Sequence, residues 1–313
     1  MLDLADRPRL GPYILTRELL PTSAFGLGEF SPLGLPGSSS GLPQPERYLA
    51  LHSSNHTSHV AYRFPAVPVS GTHAWTEQRR FQAAAEHAAG LAHPHILTIQ
   101  QVGVDTLGHP WLITPFTGDV DGLRTLAKLQ KEKGGQLAPM EVERAAEQLL
   151  SAAAAAHGQH VTAHGPIHIE EILVDRHGAI VVELYALARS LLLPPPPPPQ
   201  PSSPSSTSPP SSAASTWTRP GSELIRDEVR SIVEIAYQLI TGLRAEEPVI
   251  PAHRVVPHLP RDWTAWLEQG LNPTRGFDSA AQALAALPGR ATAPGRPARP
   301  LTRVRQAFAR LRS

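Results

Sequence analysis

Short apolar runs with a strand-like rhythm come early in this chain, and apolar positions at helical spacing dominate later. Arg47 to Leu51 and His59 to Phe64 flank a polar SSNHTS stretch, which predicts a β-hairpin. Thr76 to Ala89 places Ala and apolar residues at helical spacing, and Gly90 closes it. Ile96 to Val104 and Trp111 to Phe116 read as a second strand pair joined by DTLGH. Pro139 to Ala156 predicts a strong helix, with Pro at its start, acids in its first turn and then LLSAAAAA. Ile172 to Val174 and Ile180 to Leu184 flank an Asp-Arg-His-Gly turn, a small hairpin. Ile225 to Thr241 is an amphipathic helix closed by Gly242, and Trp263 to Leu271 and Ser279 to Leu287 are two more. Strands first and helices later predict an α+β protein with a small sheet lobe and a larger helical lobe.

Three segments interrupt this pattern. Phe30 to Pro45 is rich in Gly, Ser, Pro and Leu and reads as a flexible loop. Pro194 to Thr216 is almost wholly Pro, Ser, Ala and Thr, too poor in apolar surface to offset the entropy of ordering, and predicts disorder with polyproline II character. Pro288 to Pro300 links the last helix to the C-terminal residues. The expected boundaries are 1–116 for the β-rich lobe with a flexible insertion at 29–46, 117–287 for the helical lobe with a disordered insertion at 194–216, and 288–313 for a linker and tail.

Composition changes the picture in three places. There are no cysteines, so disulfides and thiolate metal sites are excluded. No apolar run approaches the roughly 18 to 20 residues needed to span a bilayer, and no signal-peptide pattern opens the chain, so the expectation is a cytoplasmic protein. The net charge of +1 is uneven: seven arginines and no acid lie between Arg290 and Ser313, which leaves 21 basic against 27 acidic residues elsewhere. A mildly acidic body argues against nucleic-acid binding. Leu301, Val304, Phe308 and Leu311 recur at helical spacing among those arginines, so 301–312 predicts a short basic amphipathic helix. Three uses remain open for it: a membrane surface, a partner groove, or packing onto its own acidic body.

Five segments, taken in order, resemble the eukaryotic-type Ser/Thr protein kinase domain found widely in bacteria. ERYLALHSSNHTSHVAYRF resembles the strand pair that carries the nucleotide lysine, and LAHPHILTIQQVG the segment after helix C. AAHGQHVTAHGPIHIEEILVDRHGAIVVELYALAR has the cadence of helix E, the catalytic loop, a strand pair and the magnesium loop. DEVRSIVEIAYQLITG resembles helix F, and LNPTRGFDSAAQALAAL the closing helices. The resemblance runs from about Leu10 to Leu287 and implies the bilobal protein-kinase fold.

The family's chemistry needs a Gly-rich loop, a lysine paired with a helix C glutamate, a catalytic aspartate and two magnesium ligands. In LLPTSAFGLG, Pro21 and Ser23 stand where the first two glycines belong and only Gly26 matches, so a phosphate-hugging backbone is not expected. The lysine position is Arg63, which keeps the charge but not the ammonium geometry. Its glutamate partner maps to Ala84, or to Glu86 if the register slips. His-Arg-Asp becomes His164, Gly165, Pro166, and a proline accepts no hydroxyl proton. The magnesium-binding asparagine becomes Glu171, the one substitution still able to hold a metal. Asp-Phe-Gly becomes Leu184, Tyr185, Ala186, and leucine ligates no magnesium. The helix F aspartate maps to Glu228, or to Asp227 one residue earlier.

The resemblance therefore implies a pseudokinase: a degenerate domain, with no cofactor expected, that works as a signalling scaffold or allosteric regulator through protein partners. The rival is an unconventional or weakly active Ser/Thr kinase that binds ATP and magnesium through Arg63, Gly26 and Glu171. Simpler readings also stand beside individual residues. His157, His160, His164 and His168 read as scattered loop histidines, because Gly158, Gly165 and Pro166 break any single helix that would align them as ligands. Arg63 reads more simply as the partner of an acid beside its strand, and Trp263 and Trp266 read as core.

Overall fold

Strands β1 (Arg9–Leu10), β2 (Tyr13–Leu19), β3 (Glu46–His52), β4 (Ser58–Arg63), β5 (Gln101–Val104) and β6 (Pro110–Pro115) pair antiparallel in the order β1-β2-β3-β4-β6-β5. The computed structural model describes residues 7–19, 45–66, 72–118, 122–159, 163–187 and 222–289. Direct cross-strand partners share a face, so the register of this sheet decides what each side chain meets. Val60, Tyr62 and Phe64 of the β4 region and Leu112 of β6 pack on Phe81, Ala84, Ala85 and Ala88 of helix α1 (Thr72–Ala89). On the other face Tyr13, Leu15, Ala50, Ala61, Trp111 and Ile113 form a separate cluster. Trp111 lies across Gly103, where an added Cβ would come within 2.3 Å of the indole, so that strand position requires glycine.

The second lobe holds α2 (Leu126–Glu132), α3 (Pro139–Gly158), the 3-10 turn Ile169–Glu171, the hairpin β7 (Ile172–Val174) and β8 (Ile180–Val182), then α4 (Ser222–Thr241), α5 (Ala252–Val255), α6 (Arg261–Leu271) and α7 (Ala280–Ala285). Helix α3 begins on Pro139, and Glu141 reaches back to accept the Ala138 amide. Helix α4 ends at Gly242, whose φ of +76° only glycine adopts without strain. Val142, Leu149, Leu150 and Ala153 of α3 meet Ile232, Val233, Ala236 and Ile240 of α4 in one buried cluster that also takes in Trp263, Trp266 and Phe277.

The two tryptophans stand edge to face with centroids 5.7 Å apart, and the Trp266 indole N–H donates to the Ala283 carbonyl at 3.0 Å. They are core residues, as their spacing predicts. Trp266→Ala leaves a large cavity and an orphaned carbonyl, and is expected to lower unfolding free energy by about 3–5 kcal/mol in urea denaturation. A loss under about 1 kcal/mol would show that α6 and α7 do not depend on this contact.

The architecture is the expected bilobal α+β one, with differences at the edges. Helix α1 starts a turn before Thr76, and Ile96 to Gln100 is not a continuous strand. That segment instead runs beside β8, where the Leu97 amide donates to the Val182 carbonyl and the Val182 amide to the His95 carbonyl. Strand β2 and helix α2 were not legible as elements: α2 is seven residues long and buries only Leu126 and Gln130, too short a period to read. The expected insertions at 29–46 and 194–216 and the tail at 301–312 lie outside the described residues, apart from Pro45 and Glu46 at the end of the first.

Candidate functional site

The loop that follows α3 is bolted to α4 by one buried carboxylate. Glu228 is completely buried and accepts the His164 amide at 2.7 Å, the Tyr185 hydroxyl, and the His157 ring at 3.3 Å. One turn on, Ser231 accepts the Ile167 amide at 2.9 Å and donates to the Glu228 carbonyl. The carboxylate that anchors this loop is therefore Glu228 and not Asp227. His164 and Tyr185 stand edge to face, 5.1 Å between centroids, so the loop at 163–171 and the segment after β8 are held to each other as well. Burial, reinforced by the Glu228 carboxylate, pushes the Tyr185 hydroxyl well above its ordinary range, so it stays a donor.

A second buried group joins the lobes. Arg47 on β3 and Tyr62 on β4 are direct cross-strand partners and project from the same face of the sheet. Glu183, one residue past β8, accepts from Arg47 Nη1 at 2.8 Å and from the Tyr62 hydroxyl through the same Oε1. All three are buried, Glu183 and Tyr62 completely. Burial raises the Tyr62 hydroxyl well above its usual value, with the Glu183 charge acting in the same direction.

Glu171 lies alongside at 3% exposure. Burial pushes its carboxyl up to about 8, and the charges of Glu183 and Glu170 add to the rise, while the His168 amide that it accepts works against it. The His164 ring approaches Glu171 to 4.0 Å. Glu171 thus carries a proton at neutral pH, and Glu183 is the carboxylate that faces Arg47.

The remaining residues singled out from the sequence fall as follows. Leu184 is buried at 1% exposure in the apolar cluster with Val60, Tyr62, Phe81 and Ala84, at a positive φ of 48°. A leucine in the left-handed region costs about 1–2 kcal/mol, which the surrounding packing overrides. Ala186, two residues on, also has a positive φ, of 61°. Pro166 is exposed, and the preceding Gly165 takes a φ of 92°. Ala84 faces the sheet in that same cluster, whereas Glu86 is exposed and accepts from Gln82.

Arg63 does not share the face of Tyr62. It lies opposite Glu46 and Trp111 in the register, away from α1, and pairs with Asp105 at 2.9 Å and Glu46 at 3.5 Å. Burial would raise the Asp105 carboxyl, but the His109 amide and the Arg63 guanidinium together hold it below its usual range. Successive strand residues point to opposite faces, so Tyr62 faces α1 and Arg63 faces away from it. This pairing with acids is the simpler of the two readings of Arg63.

Gly26 lies outside the described residues. Among the described residues no group of three His, Asp or Glu side chains is placed to hold a metal ion, and Glu171 is brought together with His164 but not with a third ligand. Arg47, Tyr62 and Glu183 were missed in the sequence. The signal was there in Glu183, an acid inside the apolar run IVVELYAL. Its partners were hidden, because only the register of β3 against β4 brings Arg47 and Tyr62 to it.

No model of a known protein family matches the sequence, and no curated protein matches it. Solved structures match in fold. The kinase domain of Mycobacterium tuberculosis PknI aligns over 91% of this chain and 98% of its own, with a TM-score of 0.57 and 18% identity. The PAN3 pseudokinase of Neurospora crassa aligns over 93% of this chain with a TM-score of 0.62 and 12% identity, and a mutant of it aligns at 0.61 and 13%. This chain spans 65% of the PAN3 structure's length. The curled sheet, the helix across it and the helical lobe below define a protein-kinase-like fold. No helix among the described residues is long and apolar enough to cross a membrane.

Proposed function

We propose that this chain is a catalytically inactive protein-kinase-like domain, a pseudokinase, that acts in the cytoplasm as a signalling scaffold or allosteric regulator by binding other proteins. The observation that carries this reading is Leu184. The sequence resemblance assigns Leu184 to the place of a kinase's principal magnesium ligand, and Leu184 is buried in the apolar cluster under α1. Phosphoryl transfer depends on positioning and on charge stabilisation by metal ions, and an aliphatic side chain supplies neither. Pro166 at the place that the resemblance assigns to the general base, the outward-facing Arg63, and a fold neighbour that is itself a pseudokinase support the same reading.

Thermal melting with and without ATP, each with and without magnesium, tests it. A nucleotide at about a hundred times its dissociation constant would add about 2.7 kcal/mol, a shift of several degrees for a chain of this size. The expected result is no shift at millimolar ATP in either condition and no transfer of radiolabelled phosphate to the chain or to a generic protein substrate. A magnesium-dependent shift accompanied by phosphate transfer would establish the rival reading, a weakly active Ser/Thr kinase.

A further inference from the structure

Arg47, Tyr62 and Glu183 are separated by more than a hundred residues in sequence from one lobe to the other, 136 for the Arg47 bond and 121 for the Tyr62 bond. Both donors belong to the sheet and the acceptor belongs to the helical lobe, so this group spans the cleft. Taking a guanidinium and a carboxylate out of water costs several kcal/mol per ion, and a buried pair does not on balance outperform apolar residues of the same volume. What such a pair does supply is geometry: a guanidinium in a low-dielectric site demands an anion at one place. The anion at that place is part of the chain. Glu183 meets Arg47 there as an ion pair at 2.8 Å.

We propose that the cleft between the lobes is an anion site built on Arg47 and Tyr62 and occupied by the chain's own Glu183 carboxylate, which holds the sheet against the helical lobe in place of a bound ligand. The lobes are thereby kept in one relation without any small molecule, as a protein-binding scaffold requires. In that respect the inference rests on the function proposed above. An external anion meets a guanidinium already paired and a carboxylate that repels it. Removing that carboxylate leaves Arg47 Nη1 and the Tyr62 hydroxyl, the two donors that Glu183 Oε1 now takes, facing the vacated place.

The test is chemical rescue of Glu183→Ala in the full chain. Acetate, and inorganic phosphate in a parallel series, are titrated at constant ionic strength against sodium chloride, and the melting midpoint is followed. The wild type is expected to show no response beyond chloride. E183A is expected to melt lower and to regain a few degrees once acetate reaches about ten times its dissociation constant. The same titration of the double variant with Arg47→Met is expected to be flat.

If E183A responds no more than the wild type, or if the response survives Arg47→Met, the proposal is overturned. Should E183A fail to fold alone, recovery of folding on adding Arg47→Met supports the proposal, because the fault is then the buried charge left behind, and no recovery overturns it. The ATP experiment is read on the wild type and this one on the variants, so a wild type that binds ATP sinks the pseudokinase reading while leaving the rescue result to stand or fall by itself.

Discussion

Glu171→Gln is expected to stabilise the protein at pH 8 and to do little at pH 5. The Glu171 carboxyl is raised from 4.5 to about 8 in the fold, first by burial and then by the neighbouring charges of Glu183 and Glu170. The folded state therefore keeps a proton that the unfolded chain gives up near pH 4.5. Between about pH 4.5 and pH 8 the native state binds more protons than the unfolded state, so its stability falls as pH rises, and the loss levels off above the folded value. At about 1.4 kcal/mol per unit, the displacement amounts to something on the order of 4 kcal/mol at pH 8. Glutamine carries no such linkage, and its amide oxygen still accepts the His168 amide. The gap between variant and wild type in urea or thermal unfolding should be near zero at the acid end and widen steadily towards pH 8. An equal gap at both pH values would mean that Glu171 is already ionised in the fold, with a compensating charge beside it.

The opposite effect is expected at Glu228. Its carboxylate serves the His164 amide, the Tyr185 hydroxyl and the His157 ring from a fully buried position. Glu228→Ala strands those donors away from water, and each buried donor left unsatisfied costs about 1–3 kcal/mol. The expected loss is about 3–5 kcal/mol, with amide exchange at His164 accelerating well beyond that in the sheet. Arg63→Ala supplies the contrast. Its pairs with Asp105 and Glu46 are partly open to water, so it should cost no more than about 1 kcal/mol. Equal losses at the two positions would remove Glu228 from its place as the anchor of the loop.

How much of this was readable beforehand varies by element. Helices α3, α4 and α6 were plain because their apolar positions repeat over three or more turns, and a period that long leaves little ambiguity. The hairpins were plain from their turns. The loop from His164 to Glu171 was located by cadence, and its anchor could be narrowed only to Glu228 or Asp227; the hydrogen bond to the His164 amide selects Glu228. Arg63 shows the limit. VAYR is consistent with either face of a strand, and one residue of register separates a cleft residue from an outward one. The pairing of β4 with β3 and β6 puts Tyr62 inside and Arg63 outside.

The sequence by itself determined the order of elements, the sheet-then-helix architecture and the absence of thiolate chemistry. These follow from local pattern and residue chemistry, which need no knowledge of distant contacts. Only the tertiary structure decided which charges meet. Arg47 with Glu183, Glu228 with three donors, and the proton held on Glu171 arise from side chains far apart in sequence brought into one interior, where the loss of water sets both their pairing and their ionisation.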